Sequence, residues 1–179
     1  MRKSPVDILF QAHAFGTTKL RNRIVMAPMT RKRAPSGVPT KDVVAYYRRR
    51  GQGGAGLIFS EGAFIDHPSA QAYEGESYHD IPHFYGRDAL RGWGQVVHAV
   101  HQTGALFVPQ LWHVGEIRRL GMPDDPSVPG FGPRFIIENG KPMVKAMDAE
   151  DCDEIALSYA RGARSALDMG CDGVALHAA

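Results

Sequence analysis

The chain has 179 residues, 44% of them hydrophobic and 22% charged, an ordinary globular composition for one domain or slightly more. Its 21 Lys and Arg nearly balance 19 Asp and Glu, and a net charge of +2 creates no field that would recruit nucleic acid or a membrane surface. No apolar run reaches the ~18 residues of a spanning helix, and Met1 to Pro5 lack the apolar core of a signal peptide. A soluble, cytoplasmic protein is therefore expected.

The first strand is predicted at Arg23 to Ala27, where Ile24, Val25 and Met26 form an apolar run stopped by Pro28. Thr40 is the expected N-cap of a helix carrying Val43, Val44 and Tyr47 at helical spacing and stopping at Gly51. Arg48, Arg49 and Arg50 fall in its last turn, where the macrodipole favours cations without any ligand. Gly56 to Ser60 form a second apolar run. After a loop, Asp88 is expected to cap a helix to Thr103, with Leu90, Trp93, Val96, Val97 and Val100 as its buried stripe. Leu106 to Val108 begin a third strand. The segment from Trp112 to Met147 has little periodicity, and a connection this long is usually functional or carries small strands of its own. From Asp148 to Met169 a third helix is predicted, its stripe made of Cys152, Ile155, Ala156, Tyr159, Ala163, Ala166 and Leu167. Gly173 to His177 form a fourth strand. Cys152 and Cys171, the only two cysteines, are expected to be small buried hydrophobes rather than a disulfide framework or a zinc site.

Apolar strands alternating with helices imply a parallel sheet, either a (β/α) barrel or a doubly wound fold. Gly51-Gln52-Gly53-Gly54-Ala55-Gly56 matches the dinucleotide fingerprint, yet it follows a helix and leads into a strand, the reverse of what that fingerprint requires. Polar and aromatic residues collect instead at strand C-terminal ends, namely Thr30, Ser60 and Glu61, Gln110 and Trp112, and His177. That is the face on which barrel enzymes build their sites.

Ala27-Pro28-Met29-Thr30-Arg31, Ser60-Glu61-Gly62-Ala63, Gln110-Leu111-Trp112-His113-Val114-Gly115 and Gly170 to His177 together resemble the N-terminal half of the Old Yellow Enzyme family. The similarity runs from about Leu9 to Ala179 and includes Lys19 to Ile24 and Gly53 to Ile58. The resemblance implies a (β/α)8 TIM barrel, of which about the first four strands and three helices are present. It implies FMN as cofactor, NADH or NADPH as hydride donor, and an activated alkene, the C=C of an α,β-unsaturated carbonyl compound, as substrate. Relatives with other chemistry share the barrel, so fold and flavin alone do not select the substrate.

Residue by residue, the resemblance lays Ala27, Pro28, Met29 and Thr30 along the isoalloxazine, with the Thr30 hydroxyl donating to flavin O4. Gly62 brings backbone close to the pyrimidine edge, and the Gln110 amide, able to donate and accept, reads its polar atoms. Trp112 and Tyr78 border the substrate. His177 resembles the first donor to the substrate carbonyl oxygen, where it favours the enolate-like charge that develops as hydride reaches the β-carbon. Without these motifs, Thr30 reads as a hydroxyl capping a loop, His177 as a packed histidine, and Trp112 and Tyr78 as ordinary packing.

The chain departs from the family's pattern in three places. It stops at Ala179, before the second carbonyl donor, the tyrosine that protonates the α-carbon and the last four strands. Since a barrel needs at least ~200 residues, the expectation is a partial sequence, inactive alone, with an exposed sheet edge that leads to self-association or complementation by a second half. Glu116 stands where relatives often have arginine, and Ala178 where glycine or serine is common. The alternative function is a non-catalytic half-barrel that binds flavin weakly or assembles with a partner. A metal-dependent hydrolase is the third reading. His98 and His101, or His79 and His83, could share a helix face, but no third ligand is evident, so no metal is expected.

Overall fold

The computed structural model describes residues 5–72, 80–123 and 125–178. A 3₁₀ turn at Pro5–Phe10 leads into an antiparallel hairpin of β1 (His13–Phe15) and β2 (Thr18–Leu20). Strands this short carry too little alternation to stand out in a sequence. β3 (Val25–Met26) is the core of the first expected strand.

α1 (Lys41–Gln52) has Thr40 at its N-cap, although the hydroxyl makes no capping bond, and it ends at Gly53 rather than Gly51. β4 (Leu57–Phe64) runs four residues beyond Ser60. α2 (Arg87–His101) corrects the second cap: Asp88 lies inside the first turn, and Gly86, at φ 76°, is the N-cap residue. A side chain at that φ is strained, so glycine takes the position. β5 is Leu106–His113. The long segment contains a 3₁₀ turn at Gly115–Ile117 and a small sheet of β6 (Gly130–Gly132), β7 (Ile136–Glu138) and β8 (Lys141–Ala146). α3 (Ala149–Asp168) opens with a capping box in which Asp148 and Asp151 each accept the other's backbone N–H. β9 is Ala175–Ala178.

β3, β4, β5 and β9 form one parallel sheet in that order, joined by the three α-helices. The expected strand–helix alternation is present, with five further strands in the two small sheets. Among the described residues the parallel sheet stays open, with β3 and β9 at its edges. The core lies between this sheet and the helices. Val43 and Tyr47 of α1 meet Trp93, Val96, Val97 and Val100 of α2 over Ile58, Phe107 and Leu111. Trp93 is fully buried and its indole N–H donates to the His83 carbonyl at 2.9 Å, so the ring contributes burial without leaving a polar atom unpaired.

The stripe on α3 is less covered than its period suggests. Cys152, Ala156 and Leu167 are exposed, Leu167 to 65%. α3 packs on β5, with Ser158, Gly162 and Ala166 buried while Leu157 and Leu167 stay exposed. Cys152 is thus not a buried hydrophobe, whereas Cys171 is half-buried and burial pushes its thiol up to about 12. His98 is exposed, and His101 Nε2 pairs with Asp172 Oδ2 at 2.8 Å. The same carboxylate oxygen accepts the Phe107 N–H, so this pair ties the turn before β9 to the start of β5. Among the described residues no group of three or more His, Cys, Asp or Glu is placed to hold a metal ion, and no helix is long and apolar enough to cross a membrane.

Candidate active site

Strand register assembles the site. Gly62 on β4 is paired with Gln110 on β5, Gln110 with Ala175 on β9, and Trp112 with His177. Residues two apart on a strand share a face, so Gln110 and Trp112 point one way while Leu111 and His113 point to the helices. The Trp112 and His177 rings stack, 5.3 Å apart and within 7° of parallel. Gly62 lies beneath them. A Cβ there would come within 2.8 Å of the Trp112 ring and 3.5 Å of Gln110 Oε1, so a side chain would displace the indole.

Two polar groups on this face have no partner among the described residues. The Trp112 indole N–H is buried and unbonded. The Gln110 backbone N–H donates to Ser60 Oγ at 2.8 Å, but its side-chain amide bonds no other described residue. Ala27, Pro28, Met29 and Thr30 are exposed on the stretch leaving β3. The structure thus brings Gly62, Gln110, Trp112 and His177 together and leaves the other four as an open strip beside them. Tyr78 lies outside the described residues, as does His79.

The support beneath that strip escaped the sequence reading. Glu61, its side chain fully buried, accepts Arg31 Nη2 at 2.6 Å and the backbone N–H groups of Arg31 at 2.9 Å and Lys32 at 3.3 Å. Lys32 has φ 54°, a conformation retained only where neighbours over-determine it. The Arg31 guanidinium stacks on Tyr46, 3.7 Å from the ring centroid, and Arg50 on the same ring at 4.3 Å. The Tyr47 hydroxyl accepts the Glu61 N–H at 2.8 Å, and burial, with Glu61 beside it, raises its pKa. A carboxylate inside an otherwise apolar strand was the available signal, because such a group must be paired.

Tyr159 of α3 fixes the other side. Its hydroxyl donates to the His177 carbonyl at 2.7 Å and accepts the His113 N–H at 3.0 Å, while burial raises its pKa and keeps it a hydroxyl. The Glu116 departure has a local answer, since the carboxylate receives Arg134 Nη2 at 3.1 Å and Nε at 3.2 Å. Arg134 holds the Glu116 carboxyl below its usual range and latches the loop before β7 to the 3₁₀ turn after β5.

A slot floored by glycine, with an amide free to donate and accept, an unpartnered indole N–H and an imidazole, fits a flat heteroaromatic ring with polar edges. The residues present therefore fit an isoalloxazine.

Comparison with known proteins agrees. Residues 8–179 match the family described as NADH:flavin oxidoreductase / NADH oxidase. The chain is 31% identical to 12-oxophytodienoate reductase 1 of Oryza sativa subsp. japonica, an alignment covering 96% of this chain and 44% of that protein. Among solved structures it is similar to morphinone reductase in complex with tetrahydroNAD, with TM-score 0.80, 32% identity and coverage of 96% and 49% of the two chains. It is also similar to Old Yellow Enzyme from Pichia sp. AKU4542, with TM-score 0.81, 27% identity and coverage of 95% and 45%. The chain spans about half the length of the curated relatives it matches. With four parallel strands presenting this slot and the match extending over nearly every residue, the chain belongs to the NADH:flavin oxidoreductase / NADH oxidase family, the Old Yellow Enzyme family.

Proposed function

We propose that the protein acts as an FMN-dependent oxidoreductase that passes hydride from NADH or NADPH to the C=C of an α,β-unsaturated carbonyl compound. In this reading residues 1–179 are the N-terminal half of the barrel. The observation that carries it is the convergence of Gly62, Gln110, Trp112 and His177 on one face, with the Trp112 indole N–H buried and unbonded and the Gln110 amide without a partner among the described residues.

Gln110, Gly62 and the strip at residues 27–30 would hold FMN, which would supply the hydride-transfer chemistry linking nicotinamide to substrate. The chain's own residues orient and stabilise. Gln110 reads the ring's polar edge, and the Thr30 hydroxyl donates to a ring oxygen. His177 donates to the substrate carbonyl oxygen from a position set by the Trp112 stack and the Tyr159 bond. As hydride reaches the β-carbon, negative charge moves onto that oxygen, and a preorganised donor there is worth roughly 3 kcal/mol. The α-carbon then takes a proton from an acid or from water.

The test is a titration of the protein with FMN, following fluorescence quenching and the visible absorption band. Saturable 1:1 binding, weakened by Gln110→Ala, is expected. Binding unaffected by that change would remove Gln110, and with it this site, from the reading. A second reading, assembly with a complementing half or another copy, is favoured by the exposure of Leu167 and Leu176, 65% and 63%, beside the unpaired edge of β9.

A further inference from the structure

His113 faces away from the candidate active site and enters a buried relay on the helix side of the sheet. The Gly115 N–H donates to His113 Nδ1 at 3.0 Å, and the Ser69 N–H donates to His67 Nδ1 at 3.2 Å. Backbone N–H groups can only donate, so both Nδ1 atoms are acceptors and both neutral rings carry their proton on Nε2. The order of bonds follows. His113 Nε2–H donates to Ser69 Oγ at 2.9 Å, and Ser69 Oγ–H donates to His67 Nδ1 at 2.9 Å.

The relay ends on His67 Nε2–H, which has no partner among the described residues. His67 is 91% buried, at 9% relative exposure, and it lines a cleft of about 520 Å³ between the end of β4, α3 and the segment before β6. Pro68, Val128, Phe131 and Leu157 supply the cleft's apolar walls, and the Phe131 ring meets His67 edge-on at 5.5 Å. The wall is preformed. Arg118, 1% exposed, donates to the carbonyls of Val128, Gln71 and Asp125 at 3.1, 2.7 and 2.7 Å, which fixes the segment containing Val128. Size, apolar walls and a few placed polar groups, with the buried His67 donor among them, are the attributes of a small-molecule site.

Charge selects the ligand class. Among the described residues Arg161 is the one cation lining the cleft, and its Nη2 is engaged by the Asp66 carbonyl at 3.1 Å and Ser158 Oγ at 2.8 Å. Asp66 and Glu154 line the same opening, so carboxylates outnumber the guanidinium and an anion is disfavoured. A cation would be drawn to the Asp66 and Glu154 carboxylates at the opening, but it finds no acceptor at His67, whose free nitrogen is a donor, so the group that His67 binds is an uncharged acceptor. We propose that this cleft is a second ligand site, distinct from the flavin face, for an uncharged small molecule whose carbonyl oxygen accepts from His67 Nε2–H and whose apolar body packs on Phe131 and Leu157. It stands independently of the flavin reading.

Acetanilide is the probe, with benzoate and anilinium as charged controls, followed by ¹H–¹⁵N correlation of the histidine rings. The free protein should show His67 protonated at Nε2 only, and acetanilide should shift that nitrogen saturably while both controls bind more weakly. His67→Phe should weaken binding about fivefold, the worth of one hydrogen bond. Leu157→Trp, at a position already 59% exposed, should abolish binding without touching the relay. An Nδ1–H tautomer, the lack of a saturable shift, benzoate binding as tightly as acetanilide, or a shift that survives Leu157→Trp would each overturn the proposal.

Discussion

Thr30 and His177 flank the candidate flavin face from opposite edges of the sheet, and each is assigned a single oxygen. Thr30→Ala should slow reduction of the flavin by nicotinamide in the whole enzyme and leave substrate affinity unchanged. His177→Ala should do the reverse, weakening substrate binding and slowing alkene reduction by about a hundredfold, the equivalent of roughly 3 kcal/mol at a carbonyl donor. Stopped-flow measurement of the two half-reactions separates them, and unchanged rates in either variant contradict its role. Glu61 acts one step back, holding the strip that bears Thr30 through three hydrogen bonds. Glu61→Ala leaves Arg31 as an uncompensated, largely buried charge and should cost about 3–5 kcal/mol in denaturant unfolding; a loss below ~1 kcal/mol would show that Arg31 finds water instead. The placement of Thr30, Gly62, Gln110 and His177 was legible because each lies in the C-terminal half of a strand or a few residues beyond it, within a run of motif residues. Glu61, Tyr47 and Tyr159 were not, because their roles depend on contacts between distant segments that no local spacing encodes.

At the scale of elements, α3 and the relay beside it make stability depend on pH. Burial, with His67 beside it as the smaller cause, depresses the pKa of His113 to about 4; His67 itself is also lowered, mainly by burial. Both histidines bind a proton more readily unfolded than folded. For His113 the stabilising contribution is complete above the unfolded value of 6.5 and is lost as pH falls from there to about 4, and His67 contributes in the same direction. The loss from His113 alone reaches about 3 kcal/mol. Urea unfolding between pH 7 and 4 should show this slope, and His113→Gln should flatten it; an equal slope in the variant would place the acid sensitivity elsewhere. At the start of α3, Asp148→Ala removes the carboxylate that accepts the Asp151 N–H and should cost ~1 kcal/mol, read from the same unfolding curves. Long elements were the legible ones. α1, α2 and α3 repeat their apolar period over 12, 15 and 20 residues, enough to fix their ends within one or two positions. β1, β2 and β6, three residues each, contain less than two periods of alternation and exist because a partner strand is in reach.

For the whole molecule, the order of strands and helices pointed to a parallel sheet, and the position of polar residues at strand C-terminal ends favoured a barrel over a doubly wound sheet. The structure presents the parallel sheet open. Sequence periodicity could say that α3 has an apolar stripe but not how much of it is covered, since coverage depends on which elements pack against it in three dimensions. Leu176 is paired with Leu111, which packs against Gly162 of α3, so it faces the helix side of the sheet. Leu167 is exposed there too, and together with the unpaired β9 edge these residues form a surface suited to another strand and helix. The 179-residue chain should therefore self-associate, its weight-average mass in sedimentation velocity rising with concentration. Leu167→Lys should shift that association to higher concentration while changing the stability of the chain itself by less than ~0.5 kcal/mol, as expected for an exposed position. A monodisperse monomer with a cooperative melt at every concentration would show that this edge is closed by the chain alone, and a Leu167→Lys variant associating like the parent would move the contact away from α3.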